Sequence, residues 1–184
     1  MRDAPLSLAF YARPTVQVAR DLLGKVIRHG GVSARIVETE AYLGIDDAAA
    51  HSARGPTPRT RVIFGPPGHA YVYLIYGMHC CLNIVAEPEG VAGCVLIRAA
   101  EPVPSSAENA LTGNGPGKLT RALGITLRHY GVDLTRGPIT LHAATRQEPF
   151  EIGVSPRIGI SKAAELPLRF FIKGNRFVSR EPRR

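Results

Sequence analysis

The feature that most constrains the fold is a strand-turn-strand pattern that occurs twice, each time around glycine. Residues 25–29 and 32–42 flank Gly30-Gly31, and residues 71–76 and 78–83 flank Gly77. Glycine supplies the positive φ that tight hairpin turns require, and the flanking residues are rich in types favoured in strands. Because hairpin-linked strands run antiparallel, the chain is predicted to build a largely antiparallel sheet.

Shorter elements are predicted around these hairpins from capping and turn residues. A proline, periodic apolar residues and a glycine predict an amphipathic helix at 14–24. The other predicted elements are helices at 48–51, capped by Asp46 or Asp47, and at 118–123, strands at 93–99, 139–143, 158–160 and 168–172, and a surface loop at 101–117. The expected fold class is α+β, a single mixed domain over residues 1–184 with a largely antiparallel curved β-sheet, a protruding β-hairpin, flanking short helices and a disordered tail at 180–184.

The charge balance indicates a polyanionic partner. The chain has 23 Lys and Arg against 15 Asp and Glu, a net charge of +8, and its pI is near 9.9. This excess favours nucleic acid. No apolar run approaches the roughly 20 residues of a membrane span, and the first residues do not resemble a secretory signal, so a cytoplasmic location is expected. Cys80, Cys81 and Cys94 have neither disulfide nor metal-cluster spacing.

Candidate chemistry lies on the strand at 32–42 and at the second hairpin. Glu38, Glu40 and Tyr42 alternate, so a strand would project them from one face, where either carboxylate is a candidate base. A solvated strand face is the alternative, and the pattern does not choose between the acids. Tyr76 and Met78 flank the turn glycine, and so large an apolar tip indicates a surface that is touched.

Other interpretations of the polar residues are open. Glu40, Asp46, Asp47 and His51 could form a metal site, but they lack the His/Glu spacing of known sites, so no metal is predicted. Residues 113–120 resemble a phosphate loop only superficially, since Leu119 stands at a key position and no apolar strand precedes them. The candidates for contacts to a phosphate backbone are Lys118, at a helix start, and the loop residues Arg54, Arg59 and Arg61, with plain capping and solvated charge as their alternatives.

Several short motifs, in order and spacing, give the chain a resemblance to one enzyme family. They are Val37-Glu38-Thr39-Glu40-Ala41-Tyr42, Ala49-Ala50-His51-Ser52, Thr57-Pro58-Arg59, Tyr71-Val72-Tyr73-Leu74-Ile75-Tyr76-Gly77-Met78, Asn83-Ile84 and Val95-Leu96-Ile97-Arg98-Ala99, with weaker matches through 115–119, 157–159 and 167–170. The sequence closely resembles the alkyladenine (3-methyladenine) DNA glycosylases over nearly its whole length. Each motif alone is weak, but their joint register is specific.

The resemblance implies a role for each matching residue. Glu40, not Glu38, would be the catalytic acid that deprotonates a water; Arg98 would lie beside that water and the target phosphate, and the Ile158 carbonyl would be a further water ligand. Tyr42, His51 and Tyr73 would enclose a flipped base, and Asn83 would exclude guanine by a clash with its exocyclic amine. Tyr76, with Met78 beside it, would be the wedge that fills the gap in the base stack.

The implied function is base-excision repair of double-stranded DNA containing a damaged purine. The expected reaction is hydrolysis of the N-glycosidic bond of 3-methyladenine, extending to ethenoadenine and hypoxanthine, without strand cleavage, by a cofactor-free, nucleoid-associated monomer. Two alternatives stay open: a non-catalytic nucleic-acid-binding module and a metal-dependent hydrolase of a small substrate. The chain departs from vertebrate relatives at 101–114, which is shorter and lacks their basic residues, and at His79, where they have an aromatic residue.

Overall fold

The protein is built on one curled antiparallel sheet. The structure, a computed structural model, describes residues 4–103, 113–144 and 149–179. The strands are β1 (Val26–His29), β2 (Val32–Tyr42), β3 (Ala70–Ile75), β4 (His79–Val85), β5 (Cys94–Pro102), β6 (Thr140–His142), β7 (Ile152–Ser155) and β8 (Arg169–Ile172). Their order is β3-β4-β5-β2-β1-β6, with β8 bridging β2 and β7. The predicted α+β class with a largely antiparallel sheet is confirmed.

Strand β2 is the axis of this sheet because it is longer than its neighbours. One of its edges pairs with β5, whereas the other pairs first with β1, over Val32–Arg35, and then with β8, over Glu38–Glu40. The pairing of β2 with β5 shifts register on both sides of Glu38, and such a bulge bends a strand and increases its twist. The change of partner places the second half of β2 between β5 on one edge and β8 on the other.

The helices are short and flank the sheet. They are α1 (Leu8–Tyr11), α2 (Thr15–Asp21) and α3 (Pro116–Ala122), with 3₁₀ turns at Gly44–Asp46, His51–Arg54, Arg61–Phe64 and Leu127–His129. The Glu87 carboxylate caps α2 by accepting hydrogen bonds from the Thr15 amide at 2.6 Å and hydroxyl at 2.8 Å. Helix α3 is fixed to β4 by the Thr120 hydroxyl, which donates to the Cys80 carbonyl at 2.7 Å. The helices predicted at 14–24 and 118–123 are confirmed within a few residues.

Two predicted elements are wrong. Residues 48–51 are not a helix: Asp47 accepts the Ala49 amide at 3.1 Å and also pairs with Arg157, but a turn follows it and not a helix. Residues 158–160 are not a strand, because β7 ends at Ser155, the following proline has no N–H to donate, and Gly159 has φ +77°. The middle of the predicted 101–117 loop and the 180–184 tail lie outside the described residues.

The core lies between the sheet and its helices. It contains fully buried aliphatic residues of β2 and β5, such as Ile36 and Ile97, packed with Leu22 and Leu23 after α2. A smaller cluster that includes Ile63, Tyr71 and Val85 lies under the β3–β4 hairpin. Within the described ranges, no helix is long and apolar enough to cross a membrane.

Candidate active site

An open cavity of about 360 Å³ lies between the β3–β4 hairpin, β5 and the loop that follows β7. Its lining includes Tyr42, His51 and Tyr73, which were predicted to enclose a flipped base. It also includes Asn83, predicted to exclude guanine, and Ile158 and Arg98, predicted to lie beside the water. These residues span 116 positions of sequence between Tyr42 and Ile158, and the curl of the sheet brings them together. A cavity of this size lies within the range of small-molecule pockets, about 300–1,000 Å³, and a purine fits it.

Glu40 has no exposed surface and does not itself line the cavity. It forms the floor beneath the lining residues Tyr42, Arg98 and Ile158, which it contacts. Its carboxylate accepts hydrogen bonds from the Tyr42 hydroxyl at 3.0 Å and the Ile158 amide at 2.8 Å. The Arg98 Nη1 lies 3.5 Å from the same oxygen that the amide contacts. Burial raises the pKa of Glu40, and Arg98, the Ile158 amide and the Tyr42 hydroxyl offset only part of that rise. The carboxylate is therefore held in place and is more basic than an ordinary glutamate.

The Ile158 contact differs from the sequence expectation. The predicted role used the carbonyl of Ile158 as a water ligand, whereas the group that meets Glu40 is its amide N–H. The carbonyl role stays a prediction. Tyr42 stays a hydrogen-bond donor, because burial and the neighbouring Glu40 charge both raise the pKa of its hydroxyl.

Glu38 lies on the same face as Glu40 but has a different environment. It is fully buried, and its carboxylate accepts hydrogen bonds from Arg169 at 2.6 Å and from the amide and hydroxyl of Ser179 at 2.7 and 2.8 Å. The Arg98 Nε lies 3.3 Å away. The solvated-face interpretation is wrong, because Arg98, Arg169 and Ser179 cover the face from which Glu38 projects. Glu38 does not line the cavity, and its carboxylate is already held by Arg169 and Ser179, so it is less suited than Glu40 to act as a base.

A buried ion pair behind the cavity was missed by the sequence reasoning. Arg157 donates from Nη1 to the Ala41 carbonyl at 2.9 Å and to one Asp47 oxygen at 2.5 Å, and from Nη2 to the other oxygen at 2.8 Å. Its guanidinium lies 4.6 Å from the centre of the Tyr42 ring. Burial alone would raise the pKa of Asp47, but the bonds from Arg157 and from two backbone amides lower it overall. The pair fixes the residue next to Ile158 and the ring that contacts Glu40.

One wall of the cavity is aromatic. The Tyr71 and Tyr73 rings stack with centroids 5.3 Å apart, and the His51 ring meets Tyr73 edge-on at 4.6 Å. The His51 Nδ1 is 2.8 Å from the Tyr71 hydroxyl. Desolvation and the neighbouring Arg59 lower the pKa of His51, so the ring is neutral at pH 7. A planar base can stack against this wall, and the neutral His51 ring adds no positive charge there.

Asn83 closes the deep end of the cavity from β4. Its amide nitrogen donates to the Tyr71 carbonyl at 3.2 Å, and the Cys94 sulfur lies 4.0 Å from its amide oxygen. The side chain is therefore held in one orientation. Cys80, Cys81 and Cys94 are all free thiols.

The hairpin tip rises beside the mouth of the cavity. The Tyr76 side chain is 85% exposed and Met78 is 71% exposed. Tyr76 has φ +52° and Gly77 has φ +70°, so a bulky residue occupies a conformation that glycine or asparagine would adopt more readily. Backbone strain of this kind concentrates at functional sites.

The basic residues predicted to contact a phosphate backbone divide into two groups. Arg54, Arg61 and Lys118 are exposed, with the Lys118 ammonium 3.1 Å from the Asn114 side-chain oxygen. Arg59 is also exposed and in addition lines the cavity, with its guanidinium 5.1 Å from the centre of the Tyr73 ring. Its predicted contact to the phosphate backbone stays a prediction.

The suggested metal ligands do not form a cluster. Asp47 is engaged by Arg157 and Glu40 by its three donors, and Asp46 is exposed. Over residues 4–103, 113–144 and 149–179, no three His, Cys, Asp or Glu side chains are grouped so that they could hold a metal ion.

Sequence comparisons agree with this geometry. Residues 9–176 match the family described as methylpurine-DNA glycosylase (MPG). A Bradyrhizobium diazoefficiens protein is 50% identical, with 96% of this chain and 91% of the relative covered, and a Methanoculleus marisnigri protein is 49% identical, with 95% and 98% covered. A Chlorobaculum tepidum protein is 47% identical, with 95% and 90% covered. All three relatives are curated under the provisional name 3-methyladenine DNA glycosylase.

The class defined by these findings is that of the DNA glycosylases, which are hydrolases of base-excision repair. The chain belongs to the methylpurine-DNA glycosylase family. The resemblance found from the motifs is confirmed, and DNA is the substrate polymer that this membership implies.

Proposed function

We propose that this protein removes alkylated purines such as 3-methyladenine from double-stranded DNA by flipping the damaged nucleotide into the cavity and hydrolysing its N-glycosidic bond. The observation that carries the proposal is the arrangement of Glu40: a fully buried carboxylate, held by three donors, at the floor of an aromatic cavity beside an exposed hairpin tip. The substrate range extends to ethenoadenine and hypoxanthine, since stacking accepts purines of different edge chemistry.

In the proposed reaction Glu40 takes a proton from a water molecule as the water oxygen forms a bond to C1′ of the sugar. The bond between C1′ and the purine nitrogen breaks, and its electron pair leaves with the base. A base that carries a positive charge from alkylation departs neutral, so no second acid is needed. The uncharged ethenoadenine and hypoxanthine would leave as anions, so their excision additionally requires protonation of the purine, with the proton taken from solvent. The raised pKa of Glu40 makes it a stronger base for this step, and its remaining negative charge stabilises the cationic sugar until the proton is transferred.

The hairpin tip and the basic residues serve DNA binding in this proposal. Flipping a base costs a few kcal/mol of stacking, and Tyr76, with Met78, offsets it by filling the gap. Arg54, Arg61 and Lys118 hold the phosphate backbone, while Arg98 lies between the reacting water and the target phosphate. Asn83 excludes guanine at the deep end of the cavity. The protein acts as a monomeric single domain without a metal or other cofactor.

The decisive experiment is product analysis on methylated duplex DNA. The protein should release free 3-methyladenine and leave intact abasic strands, and EDTA should not reduce the rate. Glu40→Gln should lower the rate by about a hundredfold or more while damaged-DNA binding persists, because it removes the base but keeps the shape. Glu89→Gln, the same change at an exposed acid, is the matched control and should behave as wild type.

Each alternative predicts a different result. A non-catalytic binding module would release no base from the same DNA. A metal-dependent hydrolase would lose its activity in EDTA. Full excision by a folded Glu40→Gln variant would remove Glu40 from the proposed role.

A further inference from the structure

Residues 173–179, which follow β8, fold back onto β2, the strand that carries Glu38 and Glu40. The Asn175 amide donates to Glu101 at 2.7 Å, and its own oxygen accepts from the Phe177 amide at 2.9 Å. These contacts bring Ser179 to a buried position, 7% exposed, against the middle of β2. Ser179 lies 141 residues from Glu38 in sequence, yet it is hydrogen-bonded to Glu38, Arg98 and Arg169.

Ser179 contacts this network through all its polar atoms. Its amide and hydroxyl donate to the two oxygens of Glu38 at 2.7 and 2.8 Å. Its hydroxyl oxygen accepts from the Nε of Arg98 at 3.1 Å, and its carbonyl accepts from Arg169 at 3.1 Å. The hydroxyl therefore bridges Glu38 and Arg98 by donating to one and accepting from the other.

This bridge determines which way the Arg98 guanidinium faces. A guanidinium is planar and rigid, so fixing its Nε fixes the direction of the remaining N–H groups. Nε lies 3.1 Å from the Ser179 hydroxyl and 3.3 Å from Glu38, and Nη1 is then placed 3.5 Å from Glu40. Glu38, in turn, is held by Arg169 at 2.6 Å.

We propose that Ser179, together with Glu38 and Arg169, forms a positioning site that aims Arg98 at Glu40, so that the segment after β8 is a working part of the catalytic centre. This inference rests on the proposed function. Ser179 touches no reacting atom and acts only through Arg98. If the Ser179 hydroxyl is removed, Arg98 Nε keeps only the longer contact to Glu38. The guanidinium group is then free to turn away from Glu40.

The first test removes the hydroxyl. Ser179→Ala should lower the single-turnover rate of base release by about tenfold or more, because a charge-assisted hydrogen bond to the arginine is lost, while damaged-DNA affinity stays within about twofold. Ser179→Thr, which restores a hydroxyl at the same atom, should recover most of the rate.

A matched control separates positioning from stability. Thr39 lies between the two acids on the opposite face of β2, and its buried hydroxyl donates to the Ala19 carbonyl at 2.8 Å. Thr39→Val also deletes a buried hydroxyl bond, so it should lower the melting temperature to a similar extent but leave base release within about twofold of wild type. Equal rates in Ser179→Ala and Thr39→Val would overturn the inference. No base release by the unmodified protein would instead overturn the proposed function itself.

The second test uses the pH profile, which a purely structural role would not move. Among the described residues, the titratable and charged groups around Glu40 are Glu38 and Tyr42 on β2, Arg98 on β5, Cys81 on β4, Arg169 opposite it on β8 and Arg157 before Ile158. Glu38→Gln removes a negative charge that raises the pKa of Glu40. It also leaves Glu40 as the carboxylate with which Arg98 pairs at this site. The acid limb of base release should therefore shift to lower pH. An unshifted limb in the folded variant would contradict the proposed coupling; if the variant does not fold, the Ser179 comparison decides.

Discussion

The floor of the cavity and the tip of the hairpin differ in whether their side chains already have partners within the protein. At the floor, Glu38, Glu40 and Arg98 have little or no exposure, and each has two or more partners. At the tip, Tyr76 and Met78 are mostly exposed, and Tyr76 is in a strained backbone conformation. The floor is organised before any substrate arrives, whereas the tip leaves its contacts to be made with a partner.

This difference separates stability from binding. A buried charge is costly unless it is paired, so removing one partner at the floor leaves an uncompensated group and destabilises the fold. The exposed tip contributes little to the core, so its substitution costs contacts with DNA and not folding free energy. Substitutions in the two regions should therefore fall into separate classes.

The largest effect is expected at the buried ion pair behind the floor. Arg157→Ala leaves Asp47 buried without its partner and should destabilise the protein by about 3–5 kcal/mol, measured by urea unfolding. Arg136→Ala, which breaks the exposed pair with Asp133 at 2.8 Å, is the matched control and should cost no more than about 1 kcal/mol. Similar losses in both variants would show that the floor is not especially sensitive to unpairing.

At the tip, Tyr76→Ser should reduce affinity for lesion-containing duplex by about ten- to a hundredfold, because one aromatic stacking contact is lost. Unfolding free energy should stay within about 0.5 kcal/mol of wild type. DNA that is already open opposite the lesion should lose much less affinity. Equal losses on closed and open DNA, measured by titration, would contradict intercalation.

The pH dependence of base release reports on the floor. The proposed base must be ionised, and burial raises the pKa of Glu40, so the rate should rise with pH through a midpoint above the ordinary glutamate value of about 4.3. Below that midpoint the single-turnover rate should fall about tenfold per pH unit. A midpoint at or below the ordinary value would mean that the three donors outweigh the burial of Glu40.

The smallest expected effect concerns strain at the tip. Tyr76→Asn places a residue that tolerates positive φ at a position with φ +52°, so it should raise the unfolding free energy by about 0.5–1 kcal/mol. The melting temperature should increase slightly while duplex binding weakens. A loss of stability would show that the tyrosine ring makes a stabilising contact of its own.

The local features of this protein could be predicted from sequence, and the long-range ones could not. The hairpins around Gly30-Gly31 and Gly77 depend on turn residues a few positions apart, so their patterns are visible directly. The burial of Glu38 depends on β8 and on Ser179, which lies 141 residues away. No local signal distinguishes that carboxylate from Glu40; only the register with a family did so.

The ion pair of Asp47 and Arg157 shows the same limit. Its members are 110 residues apart, and Asp47 by itself is as suitable for a helix cap or a metal ligand as for a salt bridge. The expected strand at 158–160 failed for a related reason. Ile158 and Ile160 are β-branched residues of the kind enriched in strands. However, Pro156 and the positive φ of Gly159 turn the backbone, so that the Ile158 amide donates to Glu40 and not to a neighbouring strand.

The sharing of one β2 edge between β1 and β8 has a consequence for how the protein is made. The partner for the first half of this edge arrives from the adjacent hairpin, but the partner for the second half is encoded more than a hundred residues later. During synthesis the acids of β2 must therefore wait, without their arginine and serine partners, until the loop between them closes. Such non-local closure is slow compared with hairpin formation. The hairpins of the sheet can form early, whereas the partners of the β2 acids join late.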